Sequence, residues 1–139
     1  HPSLRRQRQM CIRDSYGRLP LMITENCLVQ NETGCRLDRQ GPCVPEDGPC
    51  RCGQPNVLVD RTGAAFPLLP AYGHRTEIQN SKPLYLADRP EHRRLGLAYA
   101  RLRFTTETAE ECVSVVQNYL DAAPAAGDFT RGLYERGVE

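Results

Sequence analysis

Short apolar runs separated by turn-forming residues fill the middle of the chain, and an amphipathic stretch follows them. The run YGRLPLMI, which ends at Ile23, predicts a buried strand. Pro20 restricts this strand to an edge, a bend or a strand start, because proline lacks the amide proton that a sheet ladder needs. Two apolar arms between Val57 and Leu69 flank the turn residues Asp60 to Gly63, which predicts a β-hairpin.

The next part of the chain alternates between extended and helical patterns. A short extended stretch lies at Tyr85 and Leu86. A short helix is predicted from Pro90 to Leu95, because proline suits a first helical turn and Gly96 suits a helix end. The segment LAYARLRF then alternates with period two, which is typical of a half-buried strand. One face of this strand carries Ala98, Ala100, Leu102 and Phe104, and the other carries Tyr99, Arg101 and Arg103.

The strongest helix signal begins at Thr108. This residue can cap a helix, and Glu111, three residues later, completes a capping box. An apolar stripe at helical spacing follows, formed by Cys112, Val115, Val116, Tyr119 and Leu120. The helix is predicted to end before Pro124.

Strands followed by helices favour an α/β fold in which helices cover parallel strands. The strand and helix pairs are too few to close a barrel. The predicted fold class is therefore α/β, a partial (β/α) barrel-like domain with a β-hairpin and a cysteine-rich loop insertion. Residues 16–123 form this domain, residues 26–53 are its cysteine-rich loop, and residues 124–139 are a tail.

Residues 1–15 show neither helical nor strand periodicity and carry four arginines against one acidic residue, Asp14. The part RQMCIRDS resembles adapter-derived peptide found at the broken ends of proteins translated from environmental sequence assemblies. We therefore expect an unstructured, non-native leader, with the natural sequence starting near Tyr16 and the chain being a fragment. The alternative is an ordinary disordered basic arm.

Composition and charge bound the size and the partners of the protein. With 139 residues, 40% of them hydrophobic, the chain can bury one modest core, so we expect a single domain. The net charge of +1 gives no electrostatic case for nucleic acid or an anionic membrane. No stretch approaches the roughly 18 apolar residues of a membrane-spanning helix, and the basic start lacks the apolar run of a secretory signal. These features predict a cytoplasmic protein without a membrane partner.

The strongest chemical signal is a Gly- and Pro-rich segment from Asn26 to Gly53. It holds five cysteines, which are Cys27, Cys35, Cys43, Cys50 and Cys52. Thiolates are soft metal ligands, and a turn-rich loop bends easily enough to bring distant sulfur atoms onto one ion or cluster. The segment therefore predicts a site for zinc or an iron–sulfur cluster, with four ligands chosen from the five. No CxxC pair is present, so the pattern leaves the metal open.

Two other roles for these cysteines stay open. In a secreted chain their density would indicate disulfides, and the triplet NET at 31–33 would accept a glycan. No secretion signal supports that interpretation, and five is an odd number. Free or redox-active thiols are the remaining alternative. Cys112 lies apart on the apolar stripe of the last helix and is most simply a core residue.

Four segments in order give the chain a family resemblance: YGRLPLMITENC, LVDRTGAAFPLL, EIQNSKPLYLADR and GLAYARLRFTTET. Together they resemble the later part of the collagenase-like peptidase family, the thirty-second among peptidases of unclassified mechanism. The resemblance covers roughly Tyr16 to Asp121. It implies a barrel of β/α units, and an earlier half of the same domain, or a family paralogue, as partner. Many members are labelled peptidases, and others act in oxygen-independent hydroxylation of RNA or of ubiquinone precursors.

The resemblance also implies a ligand set. Several hydroxylation relatives hold a [4Fe–4S] cluster, and a cysteine just after their GRLPLM-type strand is a ligand. Cys27 occupies that position. A later cysteine pair followed by glycine corresponds best to Cys50 and Cys52, although only Arg51 separates them here. A further ligand of those relatives comes from the earlier half. Either Cys35 or Cys43 takes its place here, or the site in this chain is incomplete.

No residue pattern supports the peptidase label directly. The chain has neither a Gly-x-Ser-x-Gly elbow nor a His-Glu-x-x-His helix. His74 is predicted in a solvated loop and His92 among charges on the short helix. Three hypotheses follow: a family peptidase fragment with a cysteine-bound site, a zinc-stabilised structural or binding module, and a hydroxylation protein with a [4Fe–4S] cluster.

Overall fold

The structure of the chain is a computed structural model that describes residues 12–33, 51–90 and 99–132. The chain divides into two compact units. The terminal unit comprises the chain up to Arg18 and from Lys82 onward, and the central unit comprises Leu19–Ser81. The sequence predicts a single domain, whereas the structure groups the chain into two units. Segments that are adjacent in the sequence, such as those ending at Arg18 and beginning at Leu19, belong to different units.

Seven strands and two helices lie within the described residues. The strands are β1 (Ile12–Gly17), β2 (Pro20–Thr24), β3 (Asn56–Val59), β4 (Ala65–Ala71), β5 (Arg75–Gln79), β6 (Leu84–Tyr85) and β7 (Tyr99–Leu102). The helices are the single turn α1 (Gln30–Thr33) and the longer α2 (Ala109–Asp121). The helix predicted from Pro90 to Leu95 falls almost wholly outside the described residues. No helix in the described ranges combines the length and the apolar character that crossing a membrane requires.

The central unit is a four-stranded antiparallel sheet in the order β2-β5-β4-β3. Strands β3 and β4 form the predicted hairpin, with Leu58 opposite Phe66. Asp60 closes the turn, because its Oδ1 accepts hydrogen bonds from the backbone N–H groups of Thr62 at 2.7 Å and Ala64 at 3.0 Å. This part of the fold confirms the prediction from the turn residues.

Strand β2 begins at Pro20 and lies at the edge of this sheet, as proline at that position predicts. The prediction that this strand is buried is wrong. Leu21, Met22 and Ile23 are each more than half exposed, between 53% and 57%. On the opposite edge, Val57 and Val59 of β3 are similarly exposed, so both edges of the sheet present apolar side chains.

The terminal unit contains a three-stranded sheet in the order β6-β1-β7. Strand β1 is antiparallel to β6, where Tyr16 lies opposite Tyr85, and parallel to β7. Tyr16 contacts the rings of Tyr85, Phe104 and Tyr119, with centroid distances between 5.5 and 6.5 Å. Tyr119, on α2, accepts a hydrogen bond from Leu86 N at 2.9 Å and donates one to the carbonyl oxygen of Ser15. These contacts form the aromatic core of the terminal unit.

Two boundary predictions change in the terminal unit. Residues Ile12 to Ser15 are part of β1 rather than of an unstructured leader, and Ser15 is fully buried. The predicted tail also contributes to the unit up to Gly132. Phe129 packs against the core, and Thr130 exchanges backbone hydrogen bonds with Pro83 and Tyr85. Both segments are ordered by contacts with residues that are distant in the sequence.

Helix α2 confirms the predicted capping box. Glu111 N donates to Thr108 Oγ1 at 3.3 Å, and Thr108 N donates to Glu111 Oε2 at 2.7 Å. The helix ends at Asp121, before Pro124. Of the predicted apolar stripe, Val115 and Tyr119 pack on the aromatic core, whereas Leu120 is 70% exposed.

Strands and helices together make the chain an α/β protein. The parallel pairing of β1 with β7, followed by α2, is the pattern that a β/α unit requires. Both sheets are open over the described residues, so the structure does not show the predicted barrel.

Candidate functional site

Cys27 lies three residues beyond the end of β2 and is buried, with 7% of its surface exposed. Its carbonyl oxygen accepts a hydrogen bond from Gln30 N at 3.3 Å, which closes a turn. The next residue, Leu28, donates its N–H to Thr76 Oγ1 on β5 at 3.0 Å. The chain after β2 therefore bends across the end of the neighbouring strand and carries Cys27 with it.

Cys52 is half-buried and lies in a second turn, just before β3. Gln54 N donates to the carbonyl oxygen of Arg51 at 3.0 Å, so that Cys52 and Gly53 are the central residues of this turn. The side-chain amide of Asn56 donates to the carbonyl oxygens of Arg51 at 2.9 Å and Gln54 at 2.7 Å. The first residue of β3 thus holds the turn that contains Cys52.

The strand register places both cysteines at one end of the central sheet. β2 finishes at Thr24, which lies opposite Thr76 at the start of β5, and Met22 lies level with Ile78. Ile78 in turn lies level with Leu68, which is opposite Asn56, the first residue of β3. Residues beyond Thr24 and residues before Asn56 therefore extend past the same end.

The width of the sheet sets the distance that a shared site must bridge. Strands β2 and β3 are separated by three strand spacings, or about 14 Å. Two residues lie between Thr24 and Cys27, and three lie between Cys52 and Asn56. Because Leu28 is hydrogen-bonded to Thr76 of β5, the strand next to β2, the turn carries Cys27 from β2 toward β3.

The described residues supply two of the five predicted ligands. Cys35, Cys43 and Cys50 lie outside the described residues. Within residues 12–33, 51–90 and 99–132, no three side chains of His, Cys, Asp or Glu are grouped closely enough to hold a metal ion. Cys27 and Cys52 both carry soft sulfur donors and lie at the same sheet end. Cys112 is half-buried on α2 in the terminal unit.

Other residues singled out in the sequence have structural surroundings. His74 adopts a left-handed backbone, with φ of 57°, in the turn between β4 and β5 at the same sheet end as Cys27. His92 lies outside the described residues. Arg101 pairs with Asp14 across β7 and β1 on an exposed face, and this contact lowers the pKa of Asp14. The face that carries Tyr99 and Arg101 is thus solvated, but Ala100 on the opposite, predicted buried face is exposed as well, so the predicted alternation is not observed in β7.

The terminal unit contains a cavity of about 320 Å³ that sequence reasoning missed. Strand β1, the chain at β6, the segment before α2, α2 itself and the segment after it form its walls. The lining includes the aromatic residues Tyr16, Tyr85 and Phe129, the charged residues Arg18, Glu107, Glu111 and Asp128, and the neutral polar residues Ser114 and Asn118. These side chains come from four distant parts of the sequence, so no local sequence motif predicts the cavity.

A hydrogen bond connects two sides of this cavity. Tyr16 donates from its hydroxyl to Glu107 Oε1 at 3.2 Å, while Glu107 Oε2 accepts from the backbone N–H groups of Thr105 at 2.7 Å and Thr106 at 3.0 Å. Burial is the main cause of the raised pKa of the Tyr16 hydroxyl, and the negative charges of Glu107 and Glu111 raise it further. Both carboxylates therefore act electrostatically on the same point of the cavity wall.

No protein-family model, curated protein or solved structure matches this chain. The resemblance to the collagenase-like peptidase family therefore stays a prediction from the four sequence segments.

Proposed function

We propose that the chain is part of an enzyme of the collagenase-like peptidase family that binds an iron–sulfur cluster or a zinc ion through its cysteine-rich segment. The observation that carries this proposal is the position of Cys27 and Cys52 in hydrogen-bonded turns at one end of the central sheet. In this proposal, the hydrogen-bonded turns fix the backbone of one cysteine at each end of the segment. These two cysteines are ligands, and the remaining cysteines of the segment supply the others.

The burial of Cys27 supports the same proposal. Cys27 is 7% exposed, and limited solvent access of this kind is one of the ways in which a protein tunes a metal site. Cys27 is also the residue that the family resemblance designates as a cluster ligand. In this account, Cys27 and Cys52 ligate the metal with two of Cys35, Cys43 and Cys50.

The proposal extends to fold and location. The parallel β1 and β7 strands followed by α2 are, in this account, one edge of a (β/α) barrel. A cytoplasmic location accompanies it, because reduced thiols persist in a reducing compartment.

A partner segment is part of the same proposal. Each of the two edge strands carries three consecutive apolar residues that are at least 46% exposed. They are Leu21, Met22 and Ile23 on β2, and Val57, Leu58 and Val59 on β3. Exposed apolar side chains on unpaired edge strands are typical of surfaces that another segment or chain covers. We assign this cover to the earlier half of the same domain that the family resemblance implies, supplied in cis or by a paralogue.

Anaerobic purification of the chain, followed by visible absorbance and by analysis of iron, sulfide and zinc, tests the proposal. Iron with equimolar sulfide supports the cluster and favours the hydroxylation relatives, which act on RNA or a quinone precursor. Zinc alone favours a zinc-stabilised module. A chain that contains neither metal contradicts the proposed site.

A further inference from the structure

The cavity of the terminal unit combines a concave shape, aromatic walls and two carboxylates on one side. Its volume of about 320 Å³ lies within the range of small-molecule sites. Tyr16 and Tyr85, which are 8% and 5% exposed, contribute parts of their rings to its wall. Because both rings are fixed in the aromatic core, this wall is formed before any ligand arrives.

The charges that line the cavity are unevenly distributed. Asp128 pairs with Lys82, with 3.6 Å between Oδ2 and Nζ, so its charge is compensated. Arg18 directs its Nε toward Thr106 Oγ1, at 3.3 Å. With the Asp128–Lys82 pair set aside, the lining carries the two negative charges of Glu107 and Glu111 and the one positive charge of Arg18. The lining keeps a net negative charge on this side, of which the positive end of the α2 dipole offsets about half a unit.

Both carboxylates are held in place by backbone donors. Glu107 Oε2 accepts two backbone N–H groups, and Glu111 Oε2 accepts Thr108 N in the capping box. Each carboxylate oxygen can accept more than one hydrogen bond. Both carboxylates therefore keep acceptor capacity beyond these backbone contacts, and both residues line the cavity.

We propose that this cavity binds a small amphipathic cation, namely a primary ammonium or a guanidinium on a short apolar stem. The cationic head lies between Glu107 and Glu111 beside the Tyr16 hydroxyl. The stem contacts Val115 and the rings of Tyr85 and Phe129. Aromatic rings attract cations as well as apolar groups, so they suit both parts of such a ligand. The proposal is independent of the cysteine site, which lies in the other unit.

Ligand-observed saturation-transfer NMR on the full chain tests this proposal with n-butylammonium as the probe. The neutral probe n-butanol and the anionic probe butyrate have similar stems. We expect the ammonium to bind, and the two other probes to bind at least about tenfold more weakly, since neither carries a positive charge to pair with the carboxylates. Equal binding of butanol and butylammonium would overturn the assignment of a cation.

Charge-removing variants locate the bound probe. Glu111→Gln keeps a capping-box side chain, because glutamine also serves at this position, yet removes the charge. We expect about a tenfold loss of butylammonium affinity in E111Q and in E107Q. The matched control Glu110→Gln removes an exposed carboxylate from the same helical turn without lining the cavity, and it should bind as the wild type does. Unchanged affinity in both E107Q and E111Q would overturn the site.

A variant that removes a positive charge from the lining gives an independent test if a glutamate variant fails to fold. Replacing Arg18 with Gln removes the competing cation, so the affinity for butylammonium should rise severalfold. A fall in affinity, or no change, would contradict the proposed charge balance. A blocked Gly-Lys-Gly peptide then identifies the source of the cation. Tighter binding than butylammonium indicates a peptide side chain, and weaker binding indicates a free amine.

Discussion

Leu28 donates its backbone N–H to Thr76 Oγ1 over 3.0 Å. Because Leu28 directly follows Cys27, and Thr76 is the second residue of β5, this hydrogen bond fixes the first cysteine of the segment over the end of the central sheet. Thr76 is itself 2% exposed and donates its backbone N–H to Thr24 Oγ1 at 3.3 Å. A buried polar contact between distant segments thus determines where Cys27 lies.

Thr76→Val should destabilise the central unit. Valine has the shape of threonine without the hydroxyl, so Leu28 N–H loses its acceptor, at a cost of about 1–3 kcal/mol in the free energy of unfolding. Urea denaturation followed by circular dichroism measures this change. Thr76→Ser retains the hydroxyl and serves as the control, and a Thr76→Val protein as stable as Thr76→Ser would contradict the role assigned to this hydrogen bond.

Tyr119→Phe should destabilise the terminal unit. The phenol hydroxyl of Tyr119 serves the Leu86 N–H and the carbonyl oxygen of Ser15, and both of those residues are buried. Its loss leaves two buried polar groups without this partner, which costs about 1–3 kcal/mol. Thermal unfolding should reveal the effect. Tyr99→Phe is the control because Tyr99 is 69% exposed, and equal melting temperatures of the two variants would refute the prediction.

Gly17→Ala should be among the most disruptive small substitutions in the chain. Gly17 has φ of 124°, and an added Cβ would collide with the carbonyl oxygen of Arg103. Gly63 also has positive φ, 85°, but open space surrounds its Cβ position. We expect a loss of at least about 3 kcal/mol for Gly17→Ala from strain and collision together. Gly63→Ala should lose only about 1 kcal/mol. A smaller loss at Gly17 than at Gly63, measured by urea denaturation, would contradict this comparison.

The ion pair of Asp88 and Arg131 should make stability depend on acid pH. Arg131 donates to both carboxylate oxygens of Asp88, at 2.6 and 2.7 Å, and this contact holds the pKa of Asp88 below its ordinary value. A lowered pKa contributes stability above the ordinary value, about 3.9, and that contribution is lost as the pH falls toward the pKa of the folded state.

We therefore expect wild-type stability to fall below about pH 5 with a steeper slope than that of Asp88→Asn. Urea denaturation at a series of pH values gives the two slopes. Arg131→Gln should flatten the acid slope to the same extent, and the double variant should add nothing further. Parallel slopes in wild type and Asp88→Asn would exclude the pair as the cause.

Local signals in the sequence predicted the elements whose causes are local. Thr108 and Glu111 satisfy each other across one helical turn, so the start of α2 could be identified from four residues. Asp60 closes the turn between β3 and β4 with its own side chain, and the hairpin followed from it.

Elements that depend on distant partners were missed. Strand β1 begins within a basic segment without periodicity, and the parallel neighbour β7, in which Arg101 pairs with Asp14, lies more than 80 residues later. Strand β5, RTEIQ, has only one large apolar residue, Ile78, and buries the polar residues Thr76 and Gln79 instead. The cavity similarly joins Tyr16, Glu107 and Phe129, whose proximity no spacing rule encodes.

The cysteine site is tested most directly by the metal content of anaerobically purified wild type, Cys27→Ser and Cys112→Ser, measured per folded chain. We expect stoichiometric zinc, or iron with sulfide, in the wild type and in Cys112→Ser, because Cys112 lies on α2 in the other unit. Cys27→Ser should lose most of this metal, since it removes the buried thiol at the end of the central sheet. Equal metal content in Cys27→Ser and wild type, or no metal in any of the three proteins, would contradict the proposed metal site at Cys27.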